Sequence, residues 1–447
     1  MARCSFCDLP LLFQSQKKIL RYYLEPKFKK RSIPFLVDRF RKERGLSLSR
    51  RVDRIQLLYL PFWRFTAQAF FSVVEQLSFS AIPAEPDEEP PKEEVSTKDW
   101  DINFCAHKSN HLGIATLGMR PDWLSLKILT DRGRLDQHGE VLTLETNSRA
   151  AKQRALRALN FYLDKKKAPE DELILRLIEE RLSLIYFPLW VVNFIAPEGK
   201  FFHVIDGITK RTLKEGSGYF ELKRNETADV ERFYALGILP HRCPDCGWDL
   251  PVTPFHVVFP CNNCKRIWRI HEGTYHQTRG EIAKVKEELE MGCSGSLQYY
   301  PFWVFETRLQ DRKSSSIQDI FELLPSEIGL FSIKDKSRPF LSYVPAFEMK
   351  NLVKLPNLGL AFVRTQPDFK TGSVKTERVR GVFITEEDAK KMAEILWLRL
   401  ISQKANVDLD DWKNPKFVNG RIIWLPCYEE GAFLRDGLMG YSFQRVR

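Results

Sequence analysis

The chain has 447 residues and a net charge of +11, and 43% of its residues are hydrophobic and 12% aromatic. This composition excludes intrinsic disorder, and the length allows roughly two to four domains, because one hydrophobic core rarely serves more than about 300 residues. The longest apolar run, residues 182–196, is shorter than the roughly 20 residues that span a bilayer, and no signal-peptide pattern opens the chain, so we expect a cytoplasmic protein without a transmembrane segment.

The first 54 residues carry most of the positive charge, with 15 Lys and Arg against 5 Asp and Glu. Such a surplus favours contact with nucleic acid, anionic lipid or an acidic protein, although a solvated basic helix face has the same composition. The candidate anion-binding side chains are Lys17, Lys18, Arg21, Lys27, Lys29, Lys30 and Arg31. Tyr22, Tyr23 and Phe28 lie among these cations and could stack on bases.

Cys4 and Cys7 form a CxxC pair at the start of the chain, without a matching second pair. Cys105, His107 and His111 are the best candidates to complete a mixed Cys/His metal site with them. Two free thiols, or half of a ribbon that no longer binds metal, are the alternative interpretation.

An aromatic, apolar, Pro, variable, aromatic pattern occurs five times. The copies are residues 59–63, 186–190, 299–303, 343–347 and 424–428. Because alternate residues of a strand share a face, the flanking aromatics are predicted to pack on one side of a sheet, whereas proline lacks an N–H and is predicted at an edge, a strand start or a bulge. The irregular spacing predicts a duplicated module with insertions. We interpret the aromatics as core residues, with a base-stacking platform as the alternative.

Residues 81–98 contain four prolines and six acidic residues, which predict an exposed acidic loop that could shield the basic N-terminal region. Two helices are predicted after this loop, over residues 148–165 and 170–185, because apolar residues recur there at helical spacing.

The segments that follow the second and fifth copies are alike. Asp-Gly at 206–207 and at 436–437 lies between apolar runs, which predicts type I′ hairpins and a three-stranded meander after each copy. A further helix is predicted from Glu386 to about Lys404, with Thr385 as its N-cap and acidic residues in its first turn.

Four of the nine cysteines form two CxxC pairs, Cys243 with Cys246 and Cys261 with Cys264, separated by 14 residues. This spacing lets two short turns present their sulfurs to one tetrahedral ion, and such pairs in a reducing compartment indicate metal in preference to disulfides. Four thiolates leave no coordination position for water. The sequence therefore predicts one structural Zn²⁺ and no metal-activated hydroxide, with iron or a redox dithiol as alternatives.

Several residues near the ribbon have two interpretations. His241 and His256 could replace a cysteine ligand, but four well-spaced thiols favour ordinary polar roles for both. Arg266, Trp268 and Arg269 follow the second cysteine pair. They could contact a phosphate backbone, or they could belong to a strand packed between domains.

The fold class predicted from these elements is α+β, with repeated modules of a helix plus an antiparallel meander and an inserted zinc ribbon. The predicted division is a basic N-terminal region with the first copy (1–80), an acidic linker (81–98), a second α+β module (99–235), the zinc ribbon (236–275), a third module (276–330) and a C-terminal α+β module (331–447).

The ribbon cysteines, the repeats around Pro61, Pro188 and Pro301, and the Ile33-Pro34-Phe35 stretch resemble a group of uncharacterised bacterial zinc-ribbon proteins with repeated Tyr-x-Pro-x-Trp strands. The VIDGITKR stretch is similar to the helix-plus-meander modules of the PepSY type. The resemblance implies a zinc ribbon and small helix-plus-sheet modules. It implies no activity, because the group has no established one.

No P-loop, GxGxxG, HExxH or GxSxG motif is present, so the sequence predicts neither a nucleotide cradle nor a known type of active site. We therefore predict a non-enzymatic zinc-binding scaffold or adaptor that mediates protein–protein interaction within a larger assembly. The alternative is a nucleic-acid-binding zinc-ribbon protein that uses its basic N-terminal region. An enzyme whose site is assembled between modules from residues distant in sequence is the third possibility.

Overall fold

The computed structural model describes residues 2–3, 7–14, 19–74, 96–107, 114–116, 124–130, 133–165, 172–220, 237–251, 253, 256–271, 273–286, 295–309, 315–321, 333, 335–348, 354–374, 378–401 and 415–444. The helices in this part are α1 Ile33–Glu43, α2 Gly133–Asp136, α3 Ser148–Asp164, α4 Ile317–Phe321, α5 Lys354–Thr365 and α6 Glu386–Ile401, and a 3-10 turn, Lys30–Ser32, precedes α1. The strands are β1 Ala2–Arg3, β2 Pro10–Gln14, β3 Leu20–Tyr23, β4 Arg51–Val74, β5 Ser96–Cys105, β6 Lys127–Ile128, β7 Glu140–Val141, β8 Glu172–Ala196, β9 Gly199–Asp206, β10 Thr212–Ser217, β11 Gly237–Pro240, β12 Val258–Pro260, β13 Ile267–His271, β14 Thr274–Thr278, β15 Gly280–Ala283, β16 Ser296–Arg308, β17 Leu341–Pro345, β18 Thr371–Gly372, β19 Lys416–Glu430, β20 Phe433–Asp436 and β21 Ser442–Gln444.

Two large, mainly antiparallel sheets dominate the described part. The first contains β3 to β10 and is built on the long antiparallel pair β4 and β8, with β5 beside β4 and with β9 and β10 beyond β8. The second contains β15 to β21 and is built on β16 and β19, with β17 beside β16 and with β20 and β21 beyond β19. Two three-stranded sheets, β1-β2-β11 and β12-β13-β14, complete this part of the molecule, which combines strands and helices.

The aromatic-proline copies lie on β4, β8, β16, β17 and β19, and their strands pair with one another. In the first sheet Pro61 lies opposite Tyr186, and in the second Pro301 lies opposite Trp424. In both cases the proline of one copy faces the residue two positions before the proline of its partner. The central strands of the two sheets therefore pair in the same register.

Four of the five prolines do not lie at sheet edges, so for these four that part of the prediction is wrong, whereas Pro345 ends β17, which is an edge strand of the second sheet within the described residues. Each of these four occupies a long interior strand at the point where one neighbouring strand has ended and the next has not begun. Pro61 lies between the parts of β4 that pair with β7 and with β5, and Pro188 lies between the parts of β8 that pair with β3 and with β9. A missing N–H needs no partner at such a gap, which explains how the sheet accommodates proline.

The helix predicted over 170–185 is wrong, because residues 172–185 belong to β8, which pairs with β4 over almost its whole length, and residues 170–171 lie outside the described part. Leu173, Leu175 and Leu177 alternate with other residues at strand period, and the later apolar residues break that alternation because Glu179 has a φ of 52° at a bulge. Tertiary pairing with a second long strand decided the outcome over the local helical spacing.

The other two predicted helices are present. Helix α3 begins after Asn147, whose Oδ1 accepts a hydrogen bond from the N–H of Ala150 at 2.8 Å. Helix α6 begins after Thr385, whose Oγ1 accepts from the N–H of Asp388 at 3.2 Å. Both helices therefore have a side-chain N-cap, and the residues beyond Ile401 that the prediction included lie outside the described part.

Both predicted meanders are present, as β8-β9-β10 and β19-β20-β21. Their Asp-Gly turns are not of type I′, because the positive φ lies later in each loop, at Lys210 (65°) and Gly440 (78°). The buried carboxylate of Asp206 accepts from the N–H of Ile208 at 2.7 Å, and that of Asp436 accepts from loop N–H groups in the same way. The aspartate thus organises a longer loop.

The two large sheets share part of their hydrophobic core. Helix α3 covers the first sheet, and α5 and α6 cover the second. Phe70 on β4 and Ile178 on β8 reach into the core of the second sheet. Lys391 on α6 donates to the carbonyl oxygen of Leu177 on β8 at 2.8 Å. These contacts hold the second sheet against the far ends of β4 and β8.

The sheets cross the predicted module boundaries. Strands from residues 1–80 and 99–235 form the first sheet, and strands from 276–330 and 331–447 form the second. Of the predicted acidic loop, residues 81–95 lie outside the described part, and the last three residues of 81–98 begin β5. No helix of the described chain is both long enough and apolar enough to cross a membrane.

Candidate metal centre

The four ribbon cysteines converge on one point. The sulfurs of Cys243 and Cys264 lie 3.6 Å apart, those of Cys246 and Cys261 lie 3.5 Å apart, and all four lie within 4.8 Å of one another. Tetrahedral zinc with Zn–S bonds of about 2.3 Å requires sulfurs about 3.8 Å apart. The cluster therefore has the dimensions of a four-thiolate metal site.

Two similar backbone turns hold these cysteines. The N–H of Gly247 donates to the carbonyl oxygen of Cys243 at 2.9 Å, and the N–H of Lys265 donates to that of Cys261 at 3.1 Å. Gly247 has a φ of 71° and Lys265 a φ of 62°, so in each turn the residue after the second cysteine is left-handed. This conformation folds the chain tightly around the sulfurs and explains the glycine in the first turn.

The strands that bracket each CxxC pair share one register, in which the residue before the first cysteine pairs with the residue three positions after the second. The bracketing pairs are Arg3–Pro10, Arg242–Asp249 and Pro260–Ile267. Asp8, which follows Cys7, also has a positive φ of 54°. The described flanks of the N-terminal CxxC therefore repeat the backbone pattern of the two ribbon turns, while Cys4 itself lies outside the described residues.

A buried indole supports one ligand. The Nε1–H of Trp268 donates to the sulfur of Cys243 at 3.1 Å. Such a bond to a sulfur stabilises its thiolate form. Trp268 was predicted either to contact nucleic acid or to lie on a packed strand, and it lies on strand β13 with its ring beside Cys243, a contact that the sequence alone did not indicate.

Hydrogen bonds and burial shift the pKa values of two of the clustered thiols in opposite directions. The backbone N–H of Trp248 lowers the pKa of Cys246 to about 6. The N–H of Arg266 lowers the pKa of Cys264, but burial and the neighbouring cysteines outweigh it and raise that pKa to about 12. Several thiolates this close repel one another, and a bound cation removes the repulsion.

The two nearby histidines serve packing. Nδ1 of His241 lies 2.5 Å from the hydroxyl of Tyr275 and Nε2 lies 3.2 Å from the carbonyl oxygen of Pro251, so neither nitrogen is available to a metal. Burial lowers the pKa of His241 to about 4. His256 packs edge-on against the ring of Phe383, with a centroid separation of 4.8 Å.

The ribbon lies between the N-terminal sheet and the second large sheet. The N–H of His241 donates to the carbonyl oxygen of Pro10 at 2.7 Å, which joins the ribbon to β2. On the other side Arg269 lies 3.1 Å from Glu386 at the start of α6, and Arg266 pairs with an aspartate inside the ribbon. The basic residues after the second cysteine pair thus form ion pairs within the molecule.

The second predicted metal site is not assembled in the described part. Cys7 is exposed, Cys105 donates to the carbonyl oxygen of His107 at 3.2 Å, and Nδ1 of His107 lies 2.9 Å from the carbonyl oxygen of Thr143. Burial raises the pKa of the Cys105 thiol to about 11. Within the described ranges, the ribbon cysteines are the one group of three or more ligand atoms close enough to share an ion, and Cys4 and His111 lie outside those ranges.

The predicted anion-binding residues divide into three groups. Lys17 and Lys18 lie outside the described residues. Arg21 is buried and donates to the hydroxyl of Tyr186 at 3.2 Å, so its inclusion was wrong. Tyr23 and Phe28 are also buried in the core and cannot stack on bases, a second correction. The exposed members are Lys27, Lys29, Lys30 and Arg31.

The chain matches no protein-family model, no curated protein and no solved structure.

Proposed function

We propose that this chain is a non-enzymatic scaffold or adaptor in a reducing compartment, and that Cys243, Cys246, Cys261 and Cys264 bind one structural zinc ion. The convergence of four sulfurs within 4.8 Å carries the proposal. Four thiolate ligands fill a tetrahedral shell, so the ion has no position for water or substrate.

The size of the ribbon core supports a structural role for the metal. Besides Cys243 and Cys261, the buried residues of this core are Leu250, Phe259 and Trp268. A core of this size buries too little apolar surface to fold by itself, and metal binding commonly supplies the missing free energy in such small units. The ion would thus fix the ribbon between β2 and α6.

We also propose that the scaffold is built from a duplicated module. The shared register of β4 with β8 and of β16 with β19 supports this, and so do matched hydrogen bonds outside the strands. Ala106 donates to the carbonyl oxygen of Pro61, and Ala346 to that of Pro301, both at 2.9 Å. One module precedes the ribbon and one follows it, so the metal centre would connect them.

The metal role is tested by thermal unfolding of the purified chain with and without a strong chelator. Removal of the ion should lower the midpoint, because a ligand at about 1,000 times its Kd contributes about 4 kcal/mol to the folded state. Cys261→Ser should show the low midpoint without chelator. A chain that is metal-free and unfolds at the same temperature as before would contradict the proposal.

The adaptor role is tested by native purification, which should recover a stoichiometric protein partner.

A nucleic-acid-binding protein is the second candidate, and one observation favours it. Lys27, Lys29, Lys30 and Arg31 are exposed, and no ion pair to any of them is found among the described residues. Cations without acidic partners suit contact with phosphate groups.

A further inference from the structure

Two segments distant in sequence form one basic surface. The N–H of Lys27 donates to the carbonyl oxygen of Gly207 at 2.9 Å, and the ammonium of Lys210 lies 6.0 Å from the centre of the Phe28 ring. The loop before α1 thus lies against the loop between β9 and β10. The cations of this composite basic surface, all exposed, are Lys27, Lys29, Lys30, Arg31, Lys210 and Arg211.

Acidic residues close in sequence to this surface are engaged elsewhere. Glu25 lies 2.7 Å from Lys127, and Asp38 lies 2.7 Å from Arg50. Asp206 is buried, and its carboxylate accepts hydrogen bonds from its own loop. Within the described residues, the composite basic surface therefore has a concentrated positive charge that no internal carboxylate neutralises.

The helix dipole adds to this charge. Lys30 and Arg31 directly precede α1, where the helix dipole is positive, and the first turn of α1 contains no acidic residue. Ser32, at the N-cap position, makes no side-chain hydrogen bond to the helix. Cations are normally disfavoured at this end of a helix, and a bound anion would offset their repulsion.

Lys210 is held in an unfavourable conformation. Its φ of 65° is left-handed, and the matching position of the other meander is Gly440, with a φ of 78°. The two loops match in their hydrogen bonds. The N–H of Lys210 donates to the carbonyl oxygen of Asp206, and the N–H of Gly440 donates to the carbonyl oxygen of Asp436. A lysine costs stability where glycine would not, and such strain is typical of functional positions.

One exposed aromatic residue accompanies the cations. Phe35 lies in the first turn of α1, one helical turn after Arg31, and 73% of its surface is exposed. The exposed Leu46 and Leu48 follow the other end of α1, about 16 Å along the axis of this 11-residue helix. A single protruding ring beside a row of cations suits base stacking better than insertion into a membrane, which uses several apolar side chains.

From these observations we propose that the composite basic surface binds single-stranded nucleic acid, with its cations on the phosphates and Phe35 stacked on a base. This inference rests on the second candidate function and names its ligand and its site. It is independent of the metal. Single strands are favoured over duplexes because their bases are available for stacking, whereas bases within a duplex are already stacked.

The test measures binding of a labelled oligo(dT) of about 20 nucleotides at several salt concentrations. Six phosphate contacts predict that log K falls with log salt with a slope of about −4. The double variant Lys210→Gly/Arg211→Ala should bind about tenfold more weakly and reduce that slope by about 1.4. Phe35→Ala should weaken binding about tenfold and leave the slope unchanged, because stacking releases no counterions.

The matched control is Lys284→Ala/Lys286→Ala, which removes the same charge from exposed residues that follow strand β15 of the second sheet. The backbone N–H of Lys286 donates to the carbonyl oxygen of Gly437, as the backbone N–H of Lys27 donates to the carbonyl oxygen of Gly207. The control should bind within about twofold of the unchanged chain, because its lysines lie outside the proposed surface.

Three outcomes would overturn the inference. If the unchanged chain binds oligo(dT) but the Lys210/Arg211 variant binds equally well, the surface is wrong while the second candidate function stands. If the unchanged chain binds no oligo(dT), both fail. If it binds only phosphatidylserine-containing vesicles in a parallel assay, the surface is a membrane site.

Discussion

Buried indole N–H groups fix the positions of neighbouring elements at the residue scale. Trp63 donates to the carbonyl oxygen of Thr146 at 2.7 Å, and Trp303 donates to that of Ile384 at 2.8 Å. Each acceptor immediately precedes the N-cap residue of the helix that covers its sheet. The aromatic residues of the repeat were predicted to be buried, and two of them also anchor helices through their polar edges.

Trp268 has a similar role at the metal centre, and this gives a residue-scale prediction. Trp268→Phe keeps an aromatic ring, although a smaller one, and removes the hydrogen bond to the sulfur of Cys243. We expect zinc affinity to fall about tenfold, measured by competition with a chromogenic chelator, because outer-shell partners typically contribute this much. Trp248→Phe is the control, because that ring is exposed. Equal affinities of the two variants would show that the bond does not tune the site.

Strand junctions explain the proline pattern at the scale of elements. Each of four prolines lies where the neighbour on one side of its strand changes, for example from β15 to β20 beside Pro426. At these four prolines the local pattern therefore marks a junction between neighbouring strands, whereas at Pro345 it marks the edge strand β17. A single sequence cannot distinguish these two cases, because both leave the proline without a ladder partner.

The N-caps of α3 and α6 give a prediction at the element scale. Asn147→Ala and Thr385→Ala each remove one side-chain acceptor for a helix N–H. Each should lower the free energy of unfolding by about 1 kcal/mol in chemical denaturation. Thr385→Ser keeps the hydroxyl and should recover most of the loss at its position. A Thr385→Ala variant as stable as the unchanged chain would mean that the cap contributes nothing.

At the scale of the whole molecule, the ribbon lies along the chain between the strands of two similarly paired sheets, which also touch directly. Lys391 of α6 lies 3.3 Å from Glu180 on β8, and Arg176 of β8 pairs with Glu394 of α6. Half-exposed ion pairs add little free energy, so the shared core around Phe70 and Ile178 contributes most of this contact. A metal ion bound by the four ribbon cysteines would add a second connection along the chain.

Metal content gives a prediction for the whole molecule. Elemental analysis of the purified chain should find about one zinc per chain, because the ribbon cysteines are the complete ligand set within the described residues. Cys4→Ser/Cys7→Ser should leave this content unchanged, and Cys261→Ser/Cys264→Ser should abolish it. A content near two that falls to one in the Cys4/Cys7 variant would instead establish the second site.

The sequence by itself determined the features that depend on local spacing. Two CxxC pairs 14 residues apart predicted the sulfur cluster, helical periodicity predicted α3, and a capping residue followed by acidic residues predicted α6. The Asp-Gly positions predicted where both meanders turn, though not the form of the turn. The conformations that a few neighbouring residues can adopt largely determine these features, so contacts with residues distant in sequence changed them little.

Tertiary structure decided the features that depend on partners distant in sequence. Residues 172–185 became a strand because β4 offered a partner along nearly their whole length. Arg21 proved to be buried because β3 pairs with β8, while Lys210 and Arg211 joined the N-terminal cations through a contact between remote loops. Burial and surface charge arise from packing between segments, and the order of residues along one segment does not contain that information.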